Sequence, residues 1–239
     1  RCAEKGIYVV PTTGRPTDGV PKRIRELPGV RYAITTNGGA IVDLETGEQL
    51  MSCTLSPEKA VELLEITREF DVMAGGRAVT EERCMARLHH YGLSEAMQTM
   101  VHDTRDVVSD VVEYVSQVGK GVEKINIFFA DIADRAPLRC RLERECGIAI
   151  TAAMVNNLEL NDENATKGNG LMWLADYLGV DREATMAIGD GENDVSMIRM
   201  AGVGVAMDNA LDLVKQYADE ITLTNDEDGV AAVIERLIG

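Results

Sequence analysis

The sequence predicts an α/β fold: a doubly wound parallel sheet with an α+β domain inserted into it. Three observations carry that expectation. Short apolar runs, "IYVV" (7–10), "YAITT" (32–36), "TMAIGD" (185–190), "GVGVAM" (202–207) and "EITLT" (220–224), have the length of buried strands. Helical patterns separate the last three, and strands alternating with helices imply a parallel sheet covered on both faces. Between roughly 51 and 159 the patterning changes to α+β and then changes back. The expected organisation is therefore a core made of 1–50 and 160–239, with 51–159 as a separate inserted domain. A chain of 239 residues is long enough for both.

Taken in order, "RCAEKG" reads as the last turn of a helix stopped by Gly6 and feeding the strand 7–10. A chain opening in mid-helix is expected to lack an upstream segment. In the middle region, Ser56 and Pro57 are a good N-cap and first residue for a helix over "EKAVELLEITREF". "KINIFFA" (124–130) alternates Ile125, Ile127 and Phe129, as a strand with one buried face does. "LRCRLERECG" is a helix closed by Gly147, and "IAITAAMV" (148–155) is a further strand. After the insertion, Leu171, Leu174, Ala175 and Leu178 share one face of an amphipathic helix. "NALDLVKQYA" and "DGVAAVIERLIG" read as helices too.

Composition excludes several classes. Forty acidic against 24 basic side chains give a formal charge of −16, so a general nucleic-acid or anionic-membrane binder is not expected. A small anionic substrate remains compatible, because a metal ion or clustered amides reverse the local field. No apolar run approaches a membrane span and the opening residues carry no signal-peptide segment. The five cysteines are odd in number and contain no Cys-x-x-Cys, which fits free thiols in the cytoplasm.

Chemistry concentrates in three places. In "AIGDGENDVSMI" a buried strand ends at Gly189, and Asp190 follows at its carboxyl end, where open α/β sheets bind ligands. Asp190 and Asp194 can converge there on one hard cation. Asp, Asn and Gly are also ordinary turn residues, but the whole Gly-Asp-x-x-Asn-Asp after a buried strand favours the cation site. Lys167 sits at the start of an amphipathic helix, against the dipole, a placement that makes sense if ammonium and helix amides share a phosphate. Thr13 and Gly14 end the first strand and can offer a hydroxyl and an amide to phosphate oxygens. Asn37, in "TTNGGA", is a turn residue or a substrate contact. His89 and His90 lack further ligands at metal-site spacing, and Met97 and Met100 read as packing residues.

These segments resemble the haloacid dehalogenase superfamily of phosphatases, in its Cof-type subclass IIB with an α/β cap. "VVPTTGRP" resembles the family's second motif, which would give Thr13 the phosphate-binding hydroxyl. "TKGNGL" resembles the third, with Lys167 contacting phosphate. "IGDGENDVSMI" resembles the fourth, with Asp190 a magnesium ligand, Asn193 near the phosphate and Asp194 supporting the metal shell. "GVAMDNA" and "TNDEDGVA" match the family's C-terminal run. The resemblance implies a Mg2+-dependent phosphatase of small phosphorylated metabolites such as sugar phosphates, monomeric or homodimeric, with 51–159 as the cap. The family's first motif, Asp-x-Asp-Gly-Thr, does not occur in this sequence, so the resemblance places the nucleophile upstream of Arg1 and expects negligible turnover from these residues alone. A non-catalytic phosphometabolite-binding protein on the same fold is the alternative. A receiver domain with clustered aspartates fits less well, given the chain length, the insertion and Lys167.

Overall fold

The computed structural model describes residues 1–76 and 79–238. The chain divides into two compact units, Arg1–Cys53 with Ala165–Gly239, and Thr54–Asn164.

The first unit contains two three-stranded sheets. One is parallel: Met186–Gly189, Val203–Ala206 and the short Glu220–Ile221, in that order. Its apolar runs are separated by the helices Val195–Met200 and Asp212–Lys215. Ala187, Ile198, Ala206 and Val214 form the shared core. Parallel strands need such crossovers, because a tight hairpin cannot connect them. The other sheet is antiparallel: Tyr32–Thr35, Ala40–Asp43 and Gln49–Ser52. The helix Lys167–Leu178 packs Leu174 against Ile34 and Ile41 of this sheet, with Leu171 and Leu178 partly buried alongside. Gly170 permits the approach; a Cβ there would stand 2.9 Å from the Ile34 Cγ2.

The sequence leads one to expect a single parallel core, and the antiparallel hairpin corrects that expectation. So does the fate of residues 7–10, which form no strand; Ile7, Tyr8 and Val9 are 43%, 50% and 37% exposed. The backbone reaches the sheet only at Thr12, in a parallel bridge to Ile34. There Ile34 N–H donates to the Pro11 carbonyl at 3.0 Å and Thr13 N–H to the Ile34 carbonyl at 2.9 Å. The next rung toward the N-terminus needs an N–H from residue 11, and proline has none. The helix expected over 209–218 is confined to Asp212–Lys215, and the strand expected over 220–224 to Glu220–Ile221.

The second unit is built on a four-stranded antiparallel sheet ordered Val72–Gly76, Ile125–Phe129, Asn157–Asp162, Ile148–Thr151. Ile125, Ile127 and Phe129 point to one face, packed with Leu63 and Leu64 of the helix Pro57–Thr67, Val115 of Val111–Val118 and Leu138 of Arg135–Glu145. Ser56 caps the first of these helices, its hydroxyl accepting from Lys59 N–H at 3.1 Å with Pro57 in the first turn. The opposite face is apolar at one end, where Met73 and Phe128 pack with Leu88, Tyr91 and Val101. Met97 joins this cluster, but Met100 is 51% exposed, on the outer side of the helix Glu95–Thr104, and is not a packing residue. A parallel pair, Val79–Glu81 with Asp106–Val108, completes the unit. Among the described residues no helix is long and apolar enough to cross a membrane.

Candidate active site

The turn after the parallel strand Met186–Gly189 is organised by Asp194. Its Oδ2 accepts from the backbone N–H of Asp190 at 2.9 Å and of Gly191 at 3.0 Å. Its Oδ1 accepts from Lys167 Nζ at 2.5 Å. Both side chains are buried, each about 5% exposed. A buried ammonium is tolerated only beside a hydrogen-bonded opposite charge, and a carboxylate held by two amides supplies one. Gly189 is required here, since a Cβ on it would come within 2.5 Å of the Asp194 carboxyl carbon.

Lys167 is delivered by its helix. Thr166 is the N-cap, its hydroxyl accepting from Asn169 N–H at 3.1 Å, and Gly168 N–H donates to the Ser196 hydroxyl at 3.0 Å. Glycine at 168 brings this turn against the helix Val195–Met200, for a Cβ would stand 2.5 Å from the Ser196 carbonyl. The lysine and the Asp190–Asp194 turn are thus fixed by two packed helix starts.

Asn193 projects from the same turn and donates to Asn37 Oδ1 at 3.0 Å. Asn37 lies in a 3-10 turn, Thr36–Gly38, with φ of 60°, a left-handed geometry that asparagine adopts more readily than most residues. Its own N–H donates to the Thr13 carbonyl at 3.1 Å. The Thr13 hydroxyl accepts from Arg15 N–H at 3.1 Å, and Gly14, partly buried, follows Thr13 in this loop. A continuous set of hydrogen bonds therefore runs from Thr13 through Asn37 and Asn193 to the turn that carries Asp190 and Asp194, and through Asp194 to Lys167.

Asp190 differs from Asp194. Its carboxylate is exposed, and Oδ2 accepts from Asn209 Nδ2 at 3.2 Å. Asn209 Oδ1 in turn accepts from Asn225 N–H at 3.0 Å, which orients the amide. Asn209, Asn225 and Ser196 were not readable as site residues. Asn209 carried a signal nonetheless: an asparagine just past a parallel strand, level with Asp190 on the neighbouring one. Among the described residues no group of three His, Cys, Asp or Glu side chains forms a ready metal cage. The donors present are nevertheless hard oxygens of the kind that suits Mg2+, which keeps several waters and takes one or two carboxylates together with substrate phosphate. Asp190 can be a direct ligand. Asp194, with both oxygens engaged, positions Lys167 and the Asp190 backbone.

The comparisons with known proteins agree with this architecture. A haloacid dehalogenase-like hydrolase family model matches residues 1–234, and the chain belongs to that family. A 5-amino-6-(5-phospho-D-ribitylamino)uracil phosphatase of Bacillus subtilis, YcsE, is 32% identical, over 84% of this chain and 83% of its own length. A haloacid dehalogenase-like hydrolase of Bacteroides thetaiotaomicron superposes with a TM-score of 0.76 at 32% identity, covering 98% of this chain and 88% of that one. A subclass IIB sugar phosphatase shares the fold, with a TM-score of 0.81 at 22% identity over 99% of this chain and 87% of its own.

Proposed function

We propose that this chain carries the phosphate- and metal-binding part of a Mg2+-dependent phosphatase of small phosphorylated metabolites, sugar phosphates among them, acting through an aspartyl-phosphate. The observation that carries the reading is the buried Lys167–Asp194 pair beside the exposed Asp190, linked through Asn193 and Asn37 to Thr13. Family membership and the phosphatase name of YcsE support it. Residues 51–159 are proposed as the cap and 1–50 with 160–239 as the catalytic core. The five free cysteines are consistent with a cytoplasmic protein.

In this reading Lys167 sets a positive charge beside the transferring phosphoryl group, and charge aimed at a transition state is among the largest catalytic terms. Asn193 and the Thr13 hydroxyl donate to phosphate oxygens. Asp194 holds the lysine and shapes the Asp190 turn. Asp190 is the proposed magnesium ligand, and Asn209 orients its carboxylate. A bound Mg2+ would neutralise phosphate charge and fix the phosphate's orientation. The attacking aspartate and the aspartate acting as general acid and base are proposed to lie on a segment preceding Arg1. The unpaired apolar run 7–10 and the strand Met186–Gly189, paired on one side only among the described residues, support a further strand in this unit.

The experiment compares the protein starting at Arg1 with one carrying its native upstream sequence, on p-nitrophenyl phosphate and a panel of sugar phosphates, with and without EDTA. Chelator-sensitive turnover only in the longer protein supports the assignment. Full activity in the chain starting at Arg1 shows that another residue is the nucleophile. No activity in either, with phosphate binding retained, favours the non-catalytic alternative.

A further inference from the structure

The Thr54–Asn164 unit holds an open cavity of about 290 Å3 that the proposed phosphatase chemistry does not use. Arg68, Phe70, Glu81, Arg83, Ser109 and Asp110 line it, none of them part of the Lys167–Asp194 site. Three segments meet there. Arg68 and Phe70 follow the helix Pro57–Thr67, Glu81 ends the strand Val79–Glu81, and Ser109 and Asp110 precede the helix Val111–Val118.

The two acids of this cavity are occupied by the fold. Asp110 caps its helix, Oδ1 accepting from Val112 N–H at 2.8 Å and Glu113 N–H at 3.0 Å. Both its oxygens also accept from Arg68 Nη2, at 2.6 and 2.5 Å. Glu81 is buried; Oε1 accepts from Val111 N–H at 3.3 Å and Oε2 from Arg83 Nε at 2.5 Å. Each acid therefore holds one edge of an arginine, and other donors stay open. Both Nη groups of Arg83, Nε of Arg68 and the Ser109 hydroxyl make no hydrogen bond among the described residues. Arg68 Nη1 lies 3.5 Å from Glu65 Oε1, its second ion-pair partner. Both arginine side chains are exposed, so a ligand reaches them from solvent. The positive end of the helix Val111–Val118 stands at the same wall and adds to their field. Phe70, packed partly buried against the unit's core, supplies an apolar surface.

We propose that this cavity binds a small organic anion, its carboxylate or phosphate group on Arg83, Arg68 and Ser109 and its apolar body on Phe70. A guanidinium with both Nη groups open matches two oxygens of either group. The volume is at the lower end for small-molecule sites and suits a ligand of a few carbons. Exposed ion pairs add little stability by themselves; here two of them, anchored on a buried acid and a helix cap, hold two guanidinium groups at one open cavity. The site lies within one unit and does not rest on the phosphatase reading.

The test titrates benzoate and, separately, phenylphosphonate into the 15N-labelled chain, following the Arg68 and Arg83 Nε–H resonances, with sodium chloride at matched ionic strength as the control. Both resonances should shift and saturate in the millimolar range with at least one anion, the stronger response naming the head group. Arg83→Lys keeps a cation for Glu81 but loses the open fork, so it should weaken the response of Arg68 about tenfold or more. Ser109 is exposed and its hydroxyl is unbonded among the described residues, so Ser109→Glu should leave the urea midpoint unchanged. Its new carboxylate should compete for the arginines and abolish the response. Signals that do not move, that follow chloride equally, that move without saturating, or that respond fully in Ser109→Glu would overturn the proposal.

Discussion

Asp194→Asn is the most informative single change in the first unit, because one carboxylate holds three donors. The substitution removes the charge opposite Lys167 and leaves a side chain about 5% exposed as an unpaired ammonium or a forcibly neutralised amine. Breaking a buried pair by deleting one partner costs about 3–5 kcal/mol. The amides of Asp190 and Gly191 keep a neutral acceptor in the asparagine oxygen, so their loss adds at most about 1 kcal/mol. A loss near 3–4 kcal/mol at pH 7 is expected, a fall in the urea midpoint of about 1–2 M for typical denaturant slopes. Trp173 is the sole tryptophan and sits in the helix Lys167–Leu178, so its fluorescence reports on this unit. Lys167→Met should cost less, since Asp194 keeps both amides. The double variant should cost less than the sum, with a coupling of about 1.5–3 kcal/mol. Additive single costs, or a midpoint shift for Asp194→Asn below about 0.3 M, would refute the reasoning.

Gly38→Ala should destabilise the first unit by about 2 kcal/mol or more, because φ is 96° and a Cβ would stand 2.1 Å from the Thr166 carbonyl. Gly179→Ala is its control: φ is 67° with nothing within 4 Å, so about 1 kcal/mol is expected from strain alone in the same urea titration. Asp43 is held below the usual carboxylate range, first by its hydrogen bond from Arg31 and then by the amides of Glu45 and Thr46. A depressed folded pKa contributes stability that is present above about pH 4 and lost as pH falls through the folded value. Asp43→Asn should therefore lower stability at pH 6 and flatten its decline below about pH 4; an unchanged acid limb in unfolding curves would count against the assignment. Asn209→Ala should raise the Mg2+ concentration for half-maximal activity in the longer protein while leaving the unfolding free energy from urea titration within about 0.5 kcal/mol of the parent.

Periodicity and turn chemistry made much of this molecule readable before its structure. Ser56-Pro57, the alternation of Ile125, Ile127 and Phe129, and the spacing of Leu171, Leu174 and Leu178 each named an element and its buried face, because burial sets those patterns locally. The four signature segments revealed the haloacid dehalogenase family. The run 7–10 misled because apolar content alone signals a strand, whereas a strand needs a partner and each rung a donor, and Pro11 ends the ladder. The hairpin Ala40–Ser52 was missed because "AIVDLETGEQLMS" carries only a weak turn signal. Within the site, Lys167, Asp190 and Asp194 stood out by type and position. The resemblance separated the two aspartates into ligand and support; that Asp194 pairs with the buried Lys167 and holds two turn amides was not legible, since it depends on which oxygens those donors occupy. Asn209 escaped notice because it acts through Asp190, distant in sequence.

The most direct test of the central claim is Mg2+-dependent hydrolysis of a sugar phosphate by Asp190→Asn in the protein that carries its native upstream sequence. The substitution removes the one exposed carboxylate at the strand's end while keeping an oxygen for Asn209 to meet. The account expects kcat/KM to fall by about 100-fold or more, partly recoverable at high Mg2+. Parent-level, chelator-sensitive turnover in Asp190→Asn would contradict the placement of the catalytic metal at this turn.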